Sequence, residues 1–310
     1  MHRWRRQSTS RRDFLASCSA VPIALDTISP SLAQPVSKKP RLVAGKDPGG
    51  VAVALLGAGI DYTQPMIAAR LARDGEGEAT AWDVIDNDAQ PFEAPQPHWA
   101  TPVLAGGTEM ARLLLDEARG CRLIVVRVSE NSVLTLAKGL NFAGQTPARV
   151  AVVLAGPGRE EGHEALAAIV KARPQLLVIM PSMKVLRFLA ADVPPAFGLN
   201  NLLVATAADL AGAAIPGLPM DGARIDVAIA TDPVSQPAGM APLDVVTYLE
   251  NRAAVRLAAL ACRLLAGEPL SAGAALKTRL LQLAKVVGEA HGPRTQAGVI
   301  SDINKLLQPK

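Results

Sequence analysis

Aromatic side chains are scarce. Five Phe, three Trp and two Tyr make up 3% of the 310 residues. The core must therefore be packed from Ala, Val, Leu and Ile, which dominate an apolar fraction of 49%. Charged residues are also few, at 19%, and this excludes the charge-rich, apolar-poor composition of disordered chains. Three cysteines are too few for a disulfide scaffold. His98, His163 and His291 are scattered singly, and neither Cys121 nor Cys262 has a metal-type spacing, so no zinc site is expected. Beyond the amino terminus no stretch reaches the ~18 continuous apolar residues that a membrane span requires. The formal charge of +4 and the pI near 9.1 would suggest an anionic partner if the basic residues were spread along the chain. However, five Arg (Arg3, Arg5, Arg6, Arg11, Arg12) lie in the first 33 residues against Asp13 and Asp26. The remainder is nearly neutral and lacks the basic stripe that nucleic acid needs.

What is present first is an address. Residues 1–33 combine a basic start, a short apolar stretch from Phe14 to Ile28 and a small-residue exit at Ser31-Leu32-Ala33, the outline of a signal peptide. Ser10-Arg11-Arg12-Asp13-Phe14-Leu15 resembles the twin-arginine export motif. Pro22 and Asp26 make the apolar run poor as a stable anchor. Leu15-Ala16-Ser17-Cys18 has the look of a lipoprotein cleavage site, but it precedes most of the apolar run, which argues against lipidation of Cys18. The expectation is a chain exported through the twin-arginine machinery by Arg11 and Arg12, then periplasmic or secreted, with a linker at 34–49 and one domain at 50–310. An oxidising compartment permits a disulfide between Cys121 and Cys262. Their apolar surroundings favour buried free thiols, and pairing stays open.

From Val51 onward strands and helices alternate. Val51–Leu56, Leu123–Val128, Val150–Leu154, Leu176–Met180, Leu202–Ala205 and Ile225–Ile229 are short apolar runs, as strands covered on both faces should be. Helical periods follow Pro65, where Met66, Ile67 and Leu71 share a face, and run over Val133–Phe142, Glu160–Ala172, Asn251–Leu265 and Ala274–Leu283. The pattern predicts a three-layer, doubly wound α/β domain with a mostly parallel sheet. Gly57-Ala58-Gly59 follows a strand, but the third glycine of a dinucleotide fingerprint falls on Tyr62, which blocks the close helix-to-strand approach that motif requires.

A second pattern spans the body. Val53-Ala54-Leu55-Leu56-Gly57-Ala58-Gly59-Ile60-Asp61 running to Pro65, Trp82-Asp83-Val84-Ile85-Asp86-Asn87-Asp88, Gly106-Gly107-Thr108-Glu109-Met110-Ala111, Val152-Val153-Leu154-Ala155-Gly156 and Asn251–Leu260 resemble, in order and spacing, the successive motifs of the subtilisin-like serine proteases. The resemblance implies a subtilisin-like fold. It also implies that the family's catalytic Asp, His and Ser fall on Gly57, Gly106 and Asn251, and its oxyanion-hole Asn on or near Met183. Acyl transfer needs a nucleophile activated by an oriented base, and none of these residues supplies one. Loss of the oxyanion donor alone removes roughly 2.7–4 kcal/mol from the transition state.

The expectation is therefore a pseudoprotease without a cofactor, with Leu154, Ala155 and Gly156 as a candidate edge for an extended peptide. Two alternatives stand beside it. One is a divergent hydrolase with relocated groups, for which Asp61, His98 and Ser182 are candidates. The other is an exported cofactor-binding protein. Asp61 reads more simply as a turn or helix-start acceptor, His98 as a loop residue and Ser182 as a turn residue. Asp86-Asn87-Asp88 could ligate calcium through oxygens and reads more simply as a polar turn.

Overall fold

The structure is a computed structural model and describes residues 39–93, 106–130, 132–156, 163–186, 199–218, 225–232, 242–268, 273–285 and 295–301. The elements are β1 (Val51–Gly57), α1 (Pro65–Ala68), β2 (Ala81–Asp83), α2 (Gly107–Glu117), β3 (Cys121–Arg127), α3 (Val133–Ala143), β4 (Val150–Val153), α4 (His163–Ala172), β5 (Leu177–Pro181), α5 (Ser182–Leu186), β6 (Leu202–Ala208), β7 (Val227–Ala230), α6 (Pro242–Gly267), α7 (Gly273–Leu281) and β8 (Val299–Ile300). The eight strands form one sheet in the order β2-β3-β1-β4-β5-β6-β7-β8, and every ladder is parallel.

Side chains alternate across a strand, so each apolar run feeds two cores. Val53, Leu55, Leu123, Val125, Val152, Ile179 and Leu203 join α2, α6 and α7 on one face. Ala54, Leu56, Ile124, Val126, Val153, Val178 and Val204 join α3 and α4 on the other. Three layers follow directly. The scarcity of rings is met by α6, whose residues 253–261 are all buried. Alanines at 253, 254, 258, 259 and 261 let this helix lie close against the sheet with little side-chain entropy to lose.

The structure differs from the sequence reading in places. Helix α1 is one short turn. Ile67 is buried but Met66 is 40% exposed, and Leu71 lies beyond the helix in a bridge to Leu123. The reason is competition for backbone partners. The Leu123 amide donates to Arg70 O and the Ala72 amide donates to Leu123 O, which draws this stretch into the sheet. Helix α6 begins at Pro242 rather than Asn251, with a proline where a first turn tolerates one. Residues 39–49, within the expected linker, are coil but held. Lys39 pairs with Asp83, Asp86 and Asp88, Pro40 O accepts the Tyr62 hydroxyl, and Asp47 pairs with Arg122. The compact unit runs from Lys39.

Candidate functional site

Strand β1 pairs with β3 on one side and with β4 on the other, so the chain reverses its direction of travel across the sheet there. In open α/β sheets the crevice beyond the carboxyl ends of such strands is where ligands bind. Gly57 ends β1, and a Cβ built on it would stand 3.4 Å from Leu154 Cβ. Gly106 heads α2, and a Cβ on its neighbour Gly107 would stand 2.1 Å from Gly59 O. The helix therefore packs directly on the turn after β1, where Gly59 has a φ of 98° that favours glycine. The Asp61 amide donates to Thr108 Oγ1 at 2.8 Å, which locks turn and helix together. The turn after β1 and the head of α2, remote in sequence, are thus brought together.

Asn251 does not head a helix as the sequence reading has it. It sits inside α6 and is buried, and its Oδ1 has no hydrogen-bond partner among the described residues. One turn earlier, the Tyr248 hydroxyl donates to Glu109 Oε1 at 2.6 Å and accepts from Arg252 Nη1 at 3.0 Å. This brings the early turns of α6 against the first turn of α2. Burial and then the Glu109 bond raise the Tyr248 phenol above its ordinary value. Asp61 is a local acceptor: its carboxylate takes bonds from the Thr63 amide and hydroxyl and from Gln64 Nε2. Partial burial opposes its charge, but those bonds outweigh the cost and hold it below the usual carboxylate value. The 86–88 turn is occupied by cations of the chain itself, with Lys39 on all three aspartates of this region and Arg127 on Asp83 and Asp86. His98 lies outside the described residues, as do Arg11, Arg12 and Cys18.

Three glutamates that the sequence reading passed over hold the donors at this end of the sheet. Glu93 accepts from the Gly107 and Thr108 amides (3.2 and 3.0 Å) and from the Thr108 hydroxyl. It caps the otherwise orphaned head of α2 and meets the positive end of its dipole. Glu130 Oε2 accepts from the Gly156 amide at 2.9 Å and from Lys184 Nζ at 3.3 Å. Leu154, Ala155 and Gly156 are all buried, and the Gly156 amide is engaged by Glu130. Glu250 on α6 accepts from the Met183 amide at 2.6 Å, from Thr206 Oγ1 at 3.2 Å and from Ser182 Oγ. Burial pushes Glu250 up to about 7, and the bonds from Ser182, Met183 and Thr206 offset part of that cost.

Ser182 is therefore no turn residue. It begins α5 with 0% exposure and its hydroxyl committed. One feature of the sequence marks this site: Glu250 is an acid three residues before the nearly all-apolar helical run 253–262, where an unpaired carboxyl would be costly.

No protein-family model and no curated protein matches the sequence. Solved structures do. The chain is similar to a lanthipeptide protease at 14% identity and a TM-score of 0.58, covering 84% of this chain and 89% of that one. A cold-adapted subtilisin-like serine proteinase matches at 17% and 0.56, covering 83% and 90%. MycP1 from the ESX-1 type VII secretion system matches at 16% and 0.58, covering 85% and 82%. The architecture is a subtilisin-like α/β fold.

Proposed function

We propose that this chain is an exported, subtilisin-fold protein without peptidase activity that binds extended peptides. The observation that carries the reading is the occupancy of the crevice donors. Stabilising a tetrahedral oxyanion requires N–H or O–H groups free to point at it. Here Gly156 N donates to Glu130, and Met183 N and Ser182 Oγ donate to Glu250. A developing negative charge would meet carboxylates instead of donors. The glycines at 57 and 106 have no side chain to serve as base or orienter. Peptide-processing activity is what the similar lanthipeptide protease is named for; a groove of that kind, stripped of chemistry, is a binding surface for which Glu130 is a displaceable internal occupant. Arg11 and Arg12 direct the export, and replacing both with lysine should leave the precursor unprocessed inside the cell.

The test exposes the mature chain to a fluorophosphonate probe and to a library of extended peptides. The expected outcome is no labelling, no cleavage, and ligands that compete with one another for one site. Flat binding across the library would remove the peptide reading.

One observation favours a second reading, a divergent hydrolase. Ser182 donates to a carboxyl whose pKa lies near 7, where a general base works best. That reading requires Ser182 to be uncovered, and it predicts fluorophosphonate labelling that Ser182→Ala abolishes.

A further inference from the structure

Cys121 opens β3 and Cys262 lies far along α6. Both are free thiols, both are buried, and both belong to the same core. Their meeting is set by contacts on either side. The Cys121 amide donates to Ala118 O at 3.0 Å, closing a tight turn after α2. Glu117, just before that turn, is gripped by α6 twice: its carboxylate accepts from Arg256 Nε at 2.8 Å, and its carbonyl from Arg263 Nη1 at 3.4 Å. The turn of α6 that carries Cys262 is thereby lodged on residues 117–121, and the two thiols are side-chain neighbours within one core.

A single buried cysteine is an inert small hydrophobe, but two sulfurs in contact can be joined with little backbone movement. The thiolate is the attacking species in exchange, and before α6 settles on the sheet either cysteine can supply it.

We infer that Cys121 and Cys262 form a cross-linking site, closing to an intramolecular disulfide that ties β3 to α6 when the chain meets a disulfide oxidant such as a protein disulfide or oxidised glutathione. Either cysteine, for instance Cys121, gives up its proton and attacks one oxidant sulfur. The oxidant S–S bond breaks, and the first thiol leaves with a proton. Cys262 then loses its proton and attacks the Cys121 sulfur of the mixed disulfide, which releases the second thiol. Two cysteine thiols are oxidised by two electrons, and one external disulfide is reduced to two thiols. Both sulfurs are closed to solvent in the folded protein, so the exchange runs before α6 settles on the sheet, and the folded, reduced protein reacts slowly.

The full chain is unfolded in reductant and refolded in a glutathione redox buffer. It is then alkylated in denaturant and its peptides are mapped. The expected result is one cross-linked peptide pair, Cys121 with Cys262, and Cys18 alkylated. The thermal midpoint should lie roughly 5–10 °C above that of the reduced chain. In Cys121→Ala and Cys262→Ala the redox dependence of the midpoint should vanish. Recovery of three alkylated cysteines, or a cross-link that contains Cys18, overturns the inference without recourse to the variants. So does a redox-dependent midpoint that persists in both.

Discussion

Glu250 shows what a single side chain contributes at this site. A carboxyl in the apolar interior is tolerable because three donors converge on it, yet burial still outweighs them and its pKa stands near 7 against the ordinary value of 4.5. The consequence for stability has a definite sign. Between about pH 4.5 and pH 7 the unfolded chain has released a proton that the folded chain retains, so raising the pH favours unfolding. Stability contributed by this group is complete below the unfolded value, falls through that window by on the order of 3 kcal/mol, and is flat above it. Urea unfolding at pH 5 and pH 8 should show the loss, and Glu250→Gln should remove most of that difference because the amide does not titrate. A stability that rises over the same window in the wild type and not in the variant would contradict this. The local role of Asp61 was legible in its own neighbourhood, because its partners Thr63 and Gln64 are two and three residues away. The role of Glu250 was not, because Ser182 and Thr206 are 68 and 44 residues distant.

Close packing between elements holds the crevice together. The head of α2 rests on the turn after β1 through Gly107, with no room for a methyl group against Gly59 O. Gly107→Ala must shift backbone rather than a flexible side chain, at a cost of about 1–3 kcal/mol in urea unfolding. Gly75→Ala, where an added Cβ meets nothing within 4 Å, should stay within ~0.5 kcal/mol of wild type. The other end of α2 depends on charge. Arg256 reaches Glu117 and Ala230 O, and burial raises the Glu117 carboxyl even though the Arg256 charge opposes it. Arg256→Ala would leave Glu117, whose Oε2 already lacks a partner, with neither carboxylate oxygen bonded among the described residues. A loss of about 3 kcal/mol is expected, measurable as a shift in the denaturation midpoint; restoring most of it with the double variant Arg256→Ala/Glu117→Gln would identify the stranded charge as the cause. Element boundaries were least legible where two elements compete, as at α1, where pairing with β3 captures the chain after one turn.

For the molecule as a whole, residues 39–49 tie the start of the described chain to the rest of the body. A chain beginning at Val43 loses the Lys39 pairs with Asp83, Asp86 and Asp88 and the acceptor of the Tyr62 hydroxyl. Its midpoint should fall by several degrees, reflecting roughly 1–3 kcal/mol for the buried Asp83, which keeps Arg127 but loses its second cation, and for the unmade Tyr62 hydrogen bond. The doubly wound architecture was readable in outline because strands buried on both faces must be apolar throughout, and crossover helices must separate them. By itself the sequence determined the order of six strands, β1 and β3 to β7, but not the outer β2 and β8, together with the two-sided core, since each depends on residue type and short-range period. Only the tertiary structure decided that Glu93, Glu130 and Glu250 take the crevice donors and that Cys121 meets Cys262. A hydrogen bond or sulfur contact depends on which distant segments the sheet brings within a few ångströms, and no local pattern in the chain encodes that distance.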